Sequence, residues 1–139
     1  MPNLFYDTSV YIPLFREGKR PHSLTDPLQT TIYLSSVVLQ ELYVGAVDPF
    51  SKKMLDGFYE TFRRFDRIVT PTESEWRECG KSLSTLGQAH GYDSIRKGRL
   101  VNDVLIALSC QRTGSALLTY NHKDFEVIQE VVEFDFIKA

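Results

Sequence analysis

Four carboxylates in this chain are hard to read as surface decoration, and each follows or sits within an apolar stretch. In "NLFYDTSVYI", residues 3 to 12, the run Leu4-Phe5-Tyr6 suits a strand covered on both faces, and Asp7 stands just past its end. Glu41 lies in "SSVVLQELYVGA", one helical turn from Val37, Val38, Val44 and Gly45. Asp103 lies in "RLVNDVLIALSCQRTG", a segment apolar almost all round, where it shares a helical face with Ala107 and Cys110. Asp124 follows "ALLTYNHK", in which Thr119 closes an apolar run and Asn121, His122 and Lys123 make a polar turn.

Each acid has an ordinary alternative. Asp7 and Asp124 can cap helices, and Glu41 can be a solvated residue on a helix face. Asp103 as an N-cap requires a helix starting at 104, which wastes the periodicity of Leu100 and Val101. A carboxylate buried in an apolar helix is very unfavourable unless it is paired or coordinates a metal. If all four acids converge, no Arg or Lys adjacent in sequence neutralises Asp7, Glu41 or Asp103, and the natural partner is a hard divalent cation with oxygen ligands. Mg²⁺ typically takes one or two direct carboxylates together with substrate phosphate. His22, His90 and His122 show no metal-ligand spacing, so a His-rich zinc site is not expected.

The elements that must position these acids alternate. Strands are expected near 3 to 6, 31 to 34, 67 to 70, 116 to 119 and 131 to 134. Helices are expected over about 9 to 16, 36 to 47, 50 to 65, 72 to 89, 100 to 112 and a short one from 125. Ser35 and Ser36 can cap the second helix, Pro71 and Thr72 precede an acid-rich first turn, and Gly114 suits a left-handed helix end. Such alternation predicts an α/β fold with a largely parallel sheet and right-handed crossovers. Acids at the carboxyl ends of its strands then stand where open α/β sheets bind ligands.

At 139 residues the chain is expected to form one domain, 1 to 139, with a single core. No apolar run approaches the ~20 residues that span a membrane, and no secretory signal pattern opens the sequence. Cys79 and Cys110 form no CxxC pair and fit free thiols in a cytoplasmic setting. With 16 basic and 18 acidic residues the formal charge is −2, which argues against broad non-specific nucleic-acid binding but leaves room for a local basic patch. "SIRKGRL" supplies Arg96, Lys97 and Arg99 just before the Asp103 helix, and Lys123 adjoins Asp124; these four are candidate contacts for a polyanion, with an exposed loop as the alternative for the first three. Arg63, Arg64 and Arg67 read as a solvated helix end.

In order along the chain, "YDTSVYI", "SSVVLQELYVGA", "NDVLIALSCQRTG" and "LLTYNHKDF" resemble the PIN-domain ribonucleases, particularly the VapC-type toxins of type II toxin–antitoxin pairs. The resemblance runs from the first strand almost to the C-terminus. It implies a three-layer α/β/α sandwich with a central, mainly parallel sheet and a Mg²⁺- or Mn²⁺-dependent endoribonuclease. By this resemblance Asp7, Glu41, Asp103 and Asp124 match the family's acidic quartet, and Thr8, Asn121 and Thr119 match its supporting polar positions. It also implies a homodimer and an inhibitory antitoxin protein as partner. Tyr120 and His122 fall at variable positions and the segment from 17 to 29 is longer than usual, which bears on substrate selection.

On this reading Asp7 and Asp103 are direct metal ligands. Glu41 coordinates through water or orients the nucleophile, and Asp124 completes a second metal position or supports it. Capping of the first helix then falls to Thr8 or Ser9. In "DPFSKKMLDGFYETFRRF" an apolar stripe of Phe50, Met54, Phe58, Phe62 and Phe65, widened by Leu55 and Tyr59, is core or, with Leu42 and Val47, a groove for an amphipathic antitoxin segment. Two other functions compete. A haloacid-dehalogenase-like phosphatase needs a second acid two residues after Asp7, where this chain has Ser9. A catalytically weak PIN-fold interaction module would have no use for the complete quartet.

Overall fold

The computed structural model describes residues 3–21, 30–93 and 100–139. Five strands form one wholly parallel sheet: β1 (Asn3–Tyr6), β2 (Thr31–Ser35), β3 (Ile68–Val69), β4 (Ser115–Thr119) and β5 (Asp135–Lys138), in spatial order β3-β2-β1-β4-β5. Helices α1 (Thr8–Glu17), α2 (Ser36–Gly45), α3 (Pro49–Arg64), α4 (Glu73–His90), α5 (Val101–Thr113) and α6 (His122–Ile128) complete a three-layer α/β/α sandwich. The expected fold class is borne out. Among the described residues no helix is long and apolar enough to cross a membrane.

Strand order follows from burial. Leu4, Phe5 and Tyr6 are all buried, as are Leu117 and Leu118, so β1 and β4 are covered on both faces and lie side by side at the centre. The chain moves from β1 to β2 and β3 in one direction, and β4 and β5 extend the sheet in the other. The carboxyl ends of β1 and β4 therefore flank a topological switch point, where the connections diverge and a crevice opens. Every residue of α5 from Asp103 to Cys110 is buried, which explains why its sequence is apolar almost all round.

Local chemistry sets most element ends. Ser35, the last residue of β2, accepts from the Val37 and Val38 backbone N–H groups at 3.1 and 3.4 Å and so starts α2. Thr72 and Glu75 form a reciprocal capping box on α4. Glu75 also accepts from Arg112 Nε at 3.0 Å, tying α4 to α5. Gly114 adopts φ 64 and ends α5 in the left-handed conformation expected of it.

Three boundaries differ from expectation. The last strand occupies Asp135–Lys138, not 131 to 134, because Val132 and Phe134 are buried within the turn after α6 and mimic a strand's apolar pattern. That turn is held by the Gln129 side chain, which donates to the Phe134 carbonyl at 3.1 Å. Helix α6 starts at His122, so Asp124 lies in its first turn rather than ahead of it. Neither Thr8 nor Ser9 caps α1: Asp7 occupies the N-cap position, and its side chain makes no capping bond.

Candidate active site

The four acids come from four elements around the switch point. Asp7 follows β1, Glu41 sits on α2, Asp103 is in the first turn of α5 and Asp124 is in the first turn of α6. Because α5 begins at Val101, Asp103 is inside the helix and the N-cap alternative for it falls away. Asp7 and Asp103 are buried, at 5% and 9% exposure, while Glu41 and Asp124 are half-buried.

A set of short polar bonds fixes three of these carboxylates, Asp7, Glu41 and Asp124. Asp7 Oδ2 accepts from Ser9 Oγ and from Thr119 Oγ1, each at 2.8 Å. Both donors address the same oxygen, so Oδ1 makes no hydrogen bond to a described residue. Thr119, fully buried, accepts in turn from the Asn121 backbone N–H at 2.9 Å, and Ser9 Oγ accepts from the Tyr120 backbone N–H at 3.1 Å. Thr8 Oγ1 donates to Glu41 Oε1 at 2.7 Å, and the Asn102 side chain is a second hydrogen-bond partner of Glu41. Asn121 Nδ2 donates to Asp124 Oδ2 at 3.1 Å. Hydroxyl and amide donors of this kind orient carboxylates without neutralising them.

The acids act on one another electrostatically. Burial, then the charges of Asp7, Glu41 and Asp124, push the Asp103 carboxyl up to about 8. Burial raises Glu41 as well, the Asp7 charge adds to it, and the bonds from Thr8 and Asn102 oppose the rise. Burial and the Asp7 charge also raise the Cys110 thiol, two helical turns beyond Asp103 on the same face. None of the four carboxylates is ion-paired with a described lysine or arginine.

Among the described residues, no three Asp, Glu, His or Cys side chains stand together at the spacing that would hold a metal ion. The side chains are close enough to shift one another's protonation and remain apart as ligands. The donor chemistry nevertheless suits a hard cation: four carboxylates, oxygen donors throughout, and negative charge that makes Asp103 reluctant to ionise.

Two supporting residues are missing from the sequence reading. Ser9 bridges Asp7 to the backbone at Tyr120, and Asn102 reaches Glu41 from the residue before Asp103. A polar side chain in the first turn of an otherwise apolar helix was the only available hint of Asn102. Lys123 is exposed beside Asp124, whereas Arg96, Lys97 and Arg99 lie outside the described residues.

The apolar stripe of α3 divides. Phe50, Met54 and Leu55 join Leu42, Val47 and the α1 residue Ile12 around a cleft of about 370 Å³ whose wall includes Glu41. Phe58 instead packs edge-on against Tyr11, Phe15 and Phe62, which makes that half of the stripe interior. Phe65 and Tyr59 do not line the cleft.

Comparison with known proteins gives one family and one fold. A family model described as the PIN domain matches residues 4–131. No curated protein matches the sequence. Among solved structures the chain is similar to VapBC-1 from nontypeable Haemophilus influenzae, at 21% identity and TM-score 0.65, over 98% of this chain and 97% of that one. It is also similar to DNA-bound VapBC from Salmonella typhimurium, at 20% identity and TM-score 0.68, over 99% and 98%. VapBC-5 from Mycobacterium tuberculosis, described as a member of the VapBC family of toxin-antitoxin systems, is similar over the full length of both chains, at 19% identity and TM-score 0.56.

Proposed function

The chain belongs to the PIN-domain family, and on that premise we propose that it is a divalent-metal-dependent endoribonuclease, the VapC-type toxin of a toxin–antitoxin pair, formed as one nuclease domain over residues 1 to 139. The observation that carries the reading is the state of Asp103: buried, pushed up to about 8 by its surroundings and three neighbouring acids, and without a described cation beside it. Such a group is costly in a purely structural role. It is useful where a bound cation supplies the missing charge.

Asp7 and Asp103 would hold the ion directly, with Glu41 acting through water and Asp124 completing the acidic set. When bound, Mg²⁺ or Mn²⁺ supplies Lewis acidity for activating water and positive charge against the scissile phosphate. The chain's own work is orientation. Ser9 and Thr119 hold Asp7 by one oxygen and leave the other free for a ligand role. Thr8 keeps Glu41 turned toward α1, and Asn121 restrains Asp124. Glu41, raised by burial and by the Asp7 charge, is suited to accept a proton from an attacking water. Lys123, Arg96, Lys97 and Arg99 would contact the RNA backbone. A cytoplasmic homodimer is the expected setting.

The purified chain should cleave single-stranded RNA in the presence of Mg²⁺ or Mn²⁺, lose that activity with EDTA and regain it on adding the ion back. Cleavage unaffected by EDTA would exclude a metal mechanism. Cleavage of DNA in place of RNA would overturn the substrate assignment.

Inhibition by an antitoxin is assigned to the cleft beside Glu41. Val47 and Phe50 are 84% and 77% exposed at its rim, a large apolar area for a lone surface. An amphipathic helix laid into the cleft would bury them and block access to the acids. Val47→Glu and Phe50→Glu should each weaken antitoxin binding on the order of thirtyfold, about 2 kcal/mol for an interface anchor, and leave RNA cleavage intact. Isothermal titration with the cognate antitoxin measures this, and unchanged affinity in both variants would move the interface elsewhere.

A further inference from the structure

The acidic site needs a positively charged approach for a polyanion, and the chain ends α1 with three cations: Arg16, Lys19 and Arg20, all exposed. Glu17 lies among them, which leaves the segment net positive. None of the three is ion-paired with a described carboxylate.

Local structure aims this segment. Gly18 takes φ 65, its N–H bonding the Leu14 carbonyl at 3.1 Å while the Lys19 N–H bonds the Pro13 carbonyl at 3.3 Å. This left-handed closure turns the chain out of the helix. Lys19 Nζ then lies 5.4 Å from the centre of the Tyr120 ring, a cation–aromatic contact that limits where the ammonium can go. Tyr120 is part of the site's framework, since its backbone N–H donates to Ser9 Oγ and Ser9 holds Asp7. The Arg20 charge is felt at Tyr6, the residue before Asp7: burial raises that phenol, and the Arg20 charge works against the rise. Lys19 is therefore tied to the end of β4, beside the acids, and Arg20 follows it in the chain.

Resting on the ribonuclease reading above, we propose that Lys19 and Arg20 bind a phosphate of the RNA strand next to the scissile one, on the α1 side of the site. Lys123 lies in α6 beyond β4, so the two sets of cations provide separate anchors for the strand. An exposed ammonium held over an aromatic ring loses less freedom on binding than a free lysine and keeps its charge for the phosphate. The Tyr120 ring is a platform for Lys19 here, not for a base, because the ammonium already covers it.

The test is binding of a fluorescent single-stranded RNA of mixed sequence to the full chain in EDTA, followed by anisotropy across a salt series. The variants are Lys19→Met, which keeps the aliphatic stem over Tyr120, Lys19→Arg, which keeps the charge, and the double variant Lys19→Met/Arg20→Met. Arg77→Ala on α4 is the matched loss of an exposed charge. Each phosphate contact contributes roughly 0.7 to the slope of log K against log salt for single strands. Lys19→Met should weaken binding about fivefold at low salt and lower the slope by part of that amount, Lys19→Arg should restore both, and the double variant should lose the full ~0.7 of the one phosphate contact. In steady-state cleavage the loss should appear in KM with kcat retained. Wild-type affinity and slope in the double variant, with the parent protein binding and cleaving RNA normally, would overturn this anchor and leave the nuclease reading standing. Loss of antitoxin binding without loss of RNA binding would also overturn it, assigning the cations to a protein. A parent chain that neither binds nor cleaves RNA would overturn both.

Discussion

Asp7→Asn and Asp103→Asn should each lower metal-dependent RNA cleavage by at least about a thousandfold while the protein stays folded. The substitution keeps size and shape and removes one negative charge, so the loss falls on ion binding and on whatever charge stabilisation the ion provides. That stabilisation is worth several kcal/mol, and about 1.4 kcal/mol corresponds to tenfold in rate. Neither substitution should disturb the fold around it. Asp7 Oδ2 accepts from both Ser9 and Thr119, so an amide with its oxygen in that place keeps both bonds and puts its NH₂ where Oδ1 stood. Asp7→Asn should therefore leave the β1–β4 ends in place, visible as unchanged amide shifts at Tyr120 and Asn121, and lose the anionic oxygen offered to the ion. Asp103 has no hydrogen-bond partner among the described residues that an amide would disturb. Cleavage rates are to be measured on protein purified free of other nucleases. Wild-type activity in either variant would remove that residue from the active site.

The second large effect is on stability, and it needs no substrate. Burial, then the charges of Asp7, Glu41 and Asp124, push the Asp103 carboxyl up to about 8, far above its ordinary unfolded value near 3.9. Between those limits the native state holds a proton that the unfolded state has released, so stability falls as pH rises. The slope from this group is at most about 1.4 kcal/mol per pH unit. Its contribution is fully present below the unfolded pKa and is lost as pH climbs through the folded one. The metal-free protein should accordingly gain several kcal/mol between about pH 8 and pH 5, before other acids begin to oppose the trend. Asp103→Asn should flatten this dependence and make the metal-free protein more stable than the parent at pH 8. Mg²⁺ or Mn²⁺ should raise the melting temperature of the parent at pH 8, since a ligand of the native state alone stabilises it, and should shift the variant far less. Thermal melts with chelator or metal, from pH 5 to pH 8, give all four comparisons. If Asp103→Asn destabilises the metal-free chain at pH 8 and metal moves neither protein, Asp103 is a structural residue and the acids do not form a metal site.

Both effects trace to one arrangement, a charge built into a helix that the fold then buries. The cost is tolerable because α5 buries Val104, Leu105, Ile106, Ala107 and Leu108 and packs against α4, α6 and β4, so the helix holds its place without help from Asp103.

Part of this was legible in the amino-acid order. Strands and helices alternate because central strands of a parallel sheet are apolar throughout, as Leu4-Phe5-Tyr6 are, while helices carry their apolar residues at another period. That pattern, with the family resemblance, was enough for the fold class and for the PIN assignment. Asp103 stood out as an acid because its neighbours along the helix are apolar, a property of the sequence alone.

Other features required the tertiary structure, since they depend on strand order. Ser9 and Thr119 meet on one oxygen of Asp7 although 110 residues separate them, and they do so only because β1 and β4 are adjacent. No local pattern announces that adjacency. The same holds for Lys19 over Tyr120, which needs both the left-handed turn at Gly18 and the neighbouring end of β4. The apolar stripe of α3 is continuous on a helical wheel, yet it splits into a cleft wall at Phe50 and Met54 and an interior cluster at Phe58 and Phe62. The last strand was misplaced by four residues because Val132 and Phe134 are as buried in a turn as they would be in a strand. Periodicity reports which residues avoid water; only the packed fold decides which neighbours they avoid it with.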